Sequence, residues 1–278
     1  MPELPEVEVS CRGLVPYLQG MVIDEVVIRN PHLRYPIPDD LPVLLTGRYA
    51  KTLRRRGKYI LIEIAADADA QAKGWIILHL GMSGSVRVVP ATDTWRKHDH
   101  FALRVGEHSL RLHDPRRFGL VVWHAGRQPE QHPLIAVLGQ EPLEENFTGD
   151  WLHTQCAKRK TPIKPLLMDG HLLVGVGNIY AVESLFKVGI SPLRAANRIS
   201  RERYHLLAAA IRETLQTSID AGGSTIRDYL HSDGGAGSFQ IQCQVYGRGG
   251  EPCFRCGGLV RQVRQAGRST FYCSSCQH

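Results

Sequence analysis

Four cysteines near the end of this 278-residue chain have the spacing of a metal site. Cys253, Cys256, Cys273 and Cys276 read C-x2-C-x16-C-x2-C. Each C-x2-C knuckle sets two thiolates on one side of a tight turn, and two knuckles complete a tetrahedron around one zinc ion. A site ligated only by sulfur has no open coordination position, so its expected role is to fold a short segment. Between the knuckles, Leu259, Val260 and Val263 and then Thr270, Phe271 and Tyr272 predict two strands, with a turn at 265–267 and Arg268 close to the tip. A β-hairpin carrying an arginine near its tip suits a nucleic-acid groove.

Charge points the same way. The formal net charge is +7 and the pI about 9.1. The basic residues gather in three places: Arg248, Arg255, Arg261, Arg264 and Arg268 against Glu251; Lys158, Arg159, Lys160 and Lys164; and Arg54, Arg55, Arg56 and Lys58. Taken together they predict a surface for a polyanion such as DNA or RNA. No run of 18 apolar residues predicts a membrane span, and no basic and then apolar leader opens the chain, so the expected compartment is the cytoplasm.

The elements that must hold these groups follow from periodicity. The opening MPELPEVE raises its own question. A helix over 5–19 accounts for Pro5 at its first turn, for Glu6 and Glu8 beside its positive end, and for the apolar face of Val7, Cys11, Leu14 and Leu18. It leaves Pro2 and Glu3 unexplained. Residues 1–130 then read as an antiparallel β-sandwich or barrel, with strands expected over 22–28, 59–65, 75–80, 85–89, 101–105, 109–112 and 120–125 and a loop at 66–74. Residues 131–150 read as a hinge and 151–240 as a helical domain. Its last long helix shows Leu207, Ile211, Leu215 and Ile219 at steps of four, capped by Ser200. The turn GVGN (175–178) leads into a further helix with Asn178 as its cap. Residues 241–278 form the zinc hairpin.

Several separated stretches, in order along nearly the whole chain, resemble the formamidopyrimidine-DNA glycosylase family: PELPEVE (2–8), RRGKYILIE (55–63), HLGMSGS (79–85), KHDH (97–100), DPRRFG (114–119), CAKRKTPIKPLLMD (156–169), VGVGNIYAVESLF (174–186), QVYGRGGEPC (244–253) and GRSTFYCSSCQ (267–277). The resemblance is closer to this family than to the related endonuclease VIII, whose opening is nearer PEGPEI. It implies an α+β multidomain chain: an N-terminal β-sandwich with a leading helix, a helix–two-turn–helix domain and a zinc-bound β-hairpin. It also implies a monomeric bacterial DNA-repair enzyme acting near the nucleoid. Its substrate would be double-stranded DNA with a damaged base, 8-oxoguanine or a ring-opened purine.

The resemblance also answers the opening question. It implies that Met1 is removed and that the secondary amine of Pro2 is the nucleophile. An α-amino group titrates at about 7.7–8.0, so a useful fraction is neutral near pH 7 and can form a Schiff base. By the same resemblance Glu3 is the acid that opens the sugar. Glu6 supports the site or serves only the helix dipole. Lys58 and Arg268 contact the lesion phosphates and assist the eliminations. Met82, Arg116 and Phe118 fill the hole left by the extruded nucleotide. His98, Arg116, Lys160 and Asn178 hold phosphates, and SDGGAGSF (232–239) covers the damaged base. Departures are few: the 66–74 loop is longer than the family's, and Gln242 and Cys243 replace an acidic and an aliphatic residue. The residues alone leave two other readings open, an enzyme for oxidised pyrimidines and a zinc-ribbon DNA binder without activity.

Overall fold

The computed structural model describes residues 2–223 and 243–278, which fall into two compact units, one of 2–137 with 222–223 and the other of 138–221 with 243–278. The first unit opens with helix α1 (Leu4–Leu18). It starts one residue before the expected position because Glu3, extended at φ −106° and ψ −170°, takes the cap. It ends before Gln19, and Gly20 turns the chain at φ +78°. The strands are β1 (Met21–Val22), β2 (Glu25–Ile28), β3 (Tyr49–Arg56), β4 (Tyr59–Ala65), β5 (Ala72–His79), β6 (Ser85–Pro90), β7 (Asp99–Val105), β8 (His108–His113) and β9 (Leu120–His124), with the short helix α2 (Leu41–Leu45) between β2 and β3.

They make two antiparallel sheets, ordered β1-β3-β4-β5-β9 and β2-β7-β8-β6. Ile60, Ile62, Ile64, Ile76 and Leu78 from the first and Val86, Phe101, Leu103, Leu110 and Leu112 from the second share one core with Leu14 and Leu18 of α1. Each such side chain contributes about 1.5–3 kcal/mol on burial.

Three expectations are corrected. The run 22–28 is not one strand. It changes sheets at Ile23–Asp24, where the Asp24 N–H donates to the Arg104 carbonyl and its carboxylate accepts the Gly106 N–H at 2.6 Å. Strand β3 has no counterpart among the expected strands, because its inward residues Ala50 and Leu53 straddle a register shift that breaks the strict alternation. The loop expected over 66–74 is also shorter, since β5 begins at Ala72.

A short helix α3 (Pro133–Ala136) ends the first stretch of the first unit. The second contains α4 (Gly149–Cys156), α5 (Ile163–Leu167), α6 (Asn178–Lys187) and α7 (Arg201–Asp220), then the antiparallel hairpin β10 (Val260–Gln265) and β11 (Arg268–Cys273). Helix α6 is buried from Asn178 to Phe186. It packs on α7, where the Tyr180 and Ser218 hydroxyls bond at 2.7 Å, and on the hairpin through Val182, Phe186, Val260 and Phe271. Glu183 fixes the approach to the hairpin: its carboxylate accepts the N–H groups of Gln244, Val245 and Tyr246 at 2.9, 3.0 and 2.8 Å. Among the described residues no helix is long and apolar enough to cross a membrane.

Candidate active site and zinc centre

At the start of α1, Glu3 and Glu6 form a capping box, each carboxylate accepting the other residue's backbone N–H; the Glu3 N–H reaches Glu6 Oε2 at 2.7 Å. Glu3 is 2 % exposed and Glu6 is fully buried, with Pro2 buried beside them. Met1 lies outside the described residues. One turn on, Glu8 accepts from Arg55 Nε at 2.7 Å, and the same guanidinium reaches the Gly57 carbonyl at 3.2 Å. Gly57, at φ +56°, makes the β3–β4 turn from which half-buried Lys58 projects. The chain's first helix and the Lys58 turn are thus tied by one arginine.

This arginine belongs to a cluster expected to face a polyanion. Arg55 instead serves Glu8, and Arg54 pairs with Glu130 and lies over the Trp75 ring. Lys58 alone of that cluster sits at the turn.

The structure adds His79, which stands in the motif HLGMSGS and had no expected role. Its ring lies 4.8 Å from that of Tyr59, across the β4–β5 pair. Burial, then the Lys58 and Arg34 cations, push its pKa down to about 4. The Gly81 N–H donates to its Nδ1 at 2.9 Å, so Nε2 carries the proton of a neutral ring. The sequence motif marks the residue but not its lowered pKa, since the burial comes with the fold and the cations come from another turn and a distant segment.

Met82 and Phe118, which on pattern alone would be core residues, are 36 % and 43 % exposed. Met82 sits in the turn after β5. Phe118 sits in the turn before β9, where Arg117 adopts φ +56° and the Arg116 guanidinium lies 4.9 Å over the Phe118 ring. His98 is half-buried in the turn before β7, its ring 6.1 Å from His100 and 5.8 Å from His113. Desolvation and the nearby His113, Lys97, His100 and Arg117 lower its pKa. The following residue, Asp99, is fully buried and bonded to Arg87, His113 and the Arg96 N–H.

In the second unit Lys160 is exposed, but Lys164 of the same cluster is buried, its ammonium donating to Thr270 Oγ1 at 2.7 Å. Asn178 is not the helix cap. Gly177 takes that place, and Asn178 Nδ2 donates to the Ser269 carbonyl at 2.9 Å. Lys164 and Asn178 therefore seat the strand that begins at exposed Arg268, and Arg268 lines an open pocket with Lys164, Met168 and Gln265. Arg261 and Arg264 are exposed on the facing strand. Arg255 packs over Phe186, and Arg248 over Phe254. The segment 232–239 and Gln242 lie outside the described residues.

The four sulfur atoms of Cys253, Cys256, Cys273 and Cys276 lie within 4.8 Å of one another. Cys253 and Cys276 are 4.0 Å apart and Cys256 and Cys273 3.4 Å apart, too far for a disulfide. A zinc–sulfur distance of about 2.3 Å gives a tetrahedral edge of about 3.8 Å, which matches. The four cysteines form a structural zinc site that joins the hairpin's two ends.

Three family models match along the chain: the formamidopyrimidine-DNA glycosylase N-terminal domain over residues 1–121, the H2TH domain of that enzyme over 138–229, and a zinc finger found in FPG and IleRS over 250–278. The formamidopyrimidine-DNA glycosylase of Dechloromonas aromatica is 59 % identical over 280 residues, with both chains fully covered. That of Herminiimonas arsenicoxydans is 50 % identical over 279 residues, also with full coverage. The structure of MutM (Fpg) from Thermus thermophilus matches at TM-score 0.86 and 37 % identity, covering 99 % of this chain and 98 % of that one. The Lactococcus lactis Fpg, in complex with DNA containing an abasic site, matches at TM-score 0.89 and 34 % identity over 99 % of each chain. A MutM in complex with DNA containing carbocyclic 8-oxo-G matches at TM-score 0.89 and 34 % identity over the full length of both. By its domain order, its zinc finger and its full-length identity to these enzymes, the chain belongs to the formamidopyrimidine-DNA glycosylase family.

Proposed function

We propose that the chain binds duplex DNA, excises oxidised purines and then cuts the strand at the resulting abasic site, with the mature amine of Pro2 as nucleophile. The observation that carries this reading is the start of α1. A buried carboxyl, Glu3, is held by the capping box beside Pro2, and Arg55 ties the same helix to the turn that bears Lys58. An acid, a cation and the chain's own end are thereby gathered on one edge of the first unit. The DNA complexes of the L. lactis and MutM relatives support the choice of substrate.

Removal of Met1 converts the Pro2 nitrogen from an amide, which has no nucleophilic lone pair, to a secondary amine. Its lone pair attacks deoxyribose C1′ as the C1′–base bond breaks and the base leaves with that electron pair and a proton. Glu3 protonates the ring oxygen, the sugar opens, and the nitrogen holds C1′ as an iminium. The iminium draws electrons from the C2′–H bond and the 3′ phosphate leaves; loss of the C4′–H through the conjugated iminium so formed then expels the 5′ phosphate. Lys58 moves the proton and Arg268 stabilises the departing phosphates. Met82, Arg116 and Phe118 occupy the stack, offsetting an extrusion cost of a few kcal/mol. His98, Lys160 and Asn178 hold the backbone.

Borohydride trapping on an abasic duplex tests the reading. The mature protein should give a covalent adduct that disappears in Pro2→Gly and in a chain that keeps Met1. No adduct with the mature protein would leave only a zinc-bearing DNA binder. Release of 8-oxoguanine should exceed release of thymine glycol.

A further inference from the structure

We infer that Asp114 is a positioning residue that locks three loops of the first unit together and so sets the side chains that fill the duplex behind an extruded base; the inference rests on the function proposed above. Asp114 is fully buried and uses all of its polar groups. Its Oδ1 accepts from the Ser83 hydroxyl at 3.1 Å, and its Oδ2 accepts the Gly119 N–H at 2.7 Å. Its backbone N–H donates to the His98 carbonyl at 3.0 Å, and its carbonyl accepts from His100 Nε2 at 2.9 Å.

Three of these partners are next to, or are themselves, residues placed at the DNA. Ser83 follows Met82, Gly119 follows Phe118, and His98 is the proposed phosphate contact. The two side-chain bonds act across a junction where backbones already touch. Gly81 holds φ +67°, and a Cβ there would lie 2.4 Å from both Gly119 N and the Phe118 carbonyl carbon. A Cβ on Gly119 would lie 3.0 Å from Asp114 Oδ2. Met82 and Phe118 therefore stand on loops that cannot move apart while Asp114 spans them, and both apolar tips are held out in water.

A wedge matters only where there is a stack to enter. Excision from a duplex needs it; attack of the amine on an abasic site in a single strand does not. Asp114→Ala should lower 8-oxoguanine release from duplex at least tenfold while single-strand trapping falls less than twofold. Asp114→Asn should stay within threefold on both substrates. Its oxygen still accepts the Gly119 N–H, and its amide donates to a Ser83 hydroxyl turned the other way. Ser83→Ala, which leaves the core intact, should show an intermediate, three- to fivefold loss on duplex only.

Equal losses on both substrates in Asp114→Ala and Ser83→Ala would mean a merely structural residue and overturn the inference, as would full duplex activity in both. Absence of any adduct with the mature wild type would instead overturn the function on which it rests.

Discussion

Replacing Asp99 by asparagine should be among the most damaging single changes in the first unit. The carboxylate is fully buried and accepts from Arg87 Nη2 at 2.8 and 3.0 Å, from His113 Nδ1 at 2.9 Å and from the Arg96 N–H at 2.9 Å, with Arg111 at 3.9 Å. Arg87 and Arg111 are 1 % and 0 % exposed. Burial alone would raise the carboxyl pKa; the bonds from His113, the Arg96 N–H and Arg87 outweigh it and hold it well below the usual range. A neutral amide in place of this carboxylate would leave two buried guanidiniums without their counter-charge, a loss of about 3–5 kcal/mol.

The pH dependence carries a sign. A group whose folded pKa is depressed contributes above its unfolded value, about 3.9, and loses that contribution as pH falls below it. The gap between wild type and Asp99→Asn in urea melts should therefore be full at pH 7 and shrink below about pH 4. A gap under about 1 kcal/mol at pH 7, or one that does not close in acid, would refute the reasoning. The same change should weaken DNA binding, because Arg111 also holds the loop before His98 through the Thr94 and Asp93 carbonyls at 2.9 and 2.8 Å.

Chelation of zinc, or Cys256→Ser, should unfold the β10–β11 hairpin and lower DNA affinity while α7 stays folded, since α7 packs on α4 and α6. Hydrogen exchange reads both, and hairpin amides still protected without metal would contradict it. For His79, whose pKa is pushed down from 6.5 to about 4, the unfolded chain takes up the proton first. Stability should then fall as pH drops from about 6.5 to 4, by at most about 3 kcal/mol, relative to a His79→Asn variant that keeps an acceptor for Gly81. Parallel stability curves for the two proteins would count against a buried neutral imidazole.

Features written in short windows could be read from the chain. The knuckle spacing, the apolar face of α1, the alternation in β4 and the steps of four in α7 are local patterns whose periods match the geometry of the element. The family motifs carried the expectations for the rest of the site. Residue type said less about charge. Arg55 and Lys164 stood in basic clusters and turned out to hold the fold, one bonded to Glu8 and the other to Thr270. Periodicity says which way a side chain points, not what stands opposite.

Tertiary structure decided which polar groups became junctions. Asp99 and Asp114 stand in the motifs KHDH and DPRRFG, but nothing near them in sequence says which side chains they meet. Their side-chain partners lie up to 31 residues away: those of Asp99 converge where β6, β7 and β8 pair in one sheet, and those of Asp114 where the turns after β5 and before β9 meet. The pairing of β5 with β9 brings together the turns that carry Met82 and Phe118, with backbones too close to admit a side chain at Gly81, and both side chains are exposed. The sequence determined the elements and the zinc ligands because those depend on neighbours along the chain; burial, pairing and exposure depend on neighbours in space.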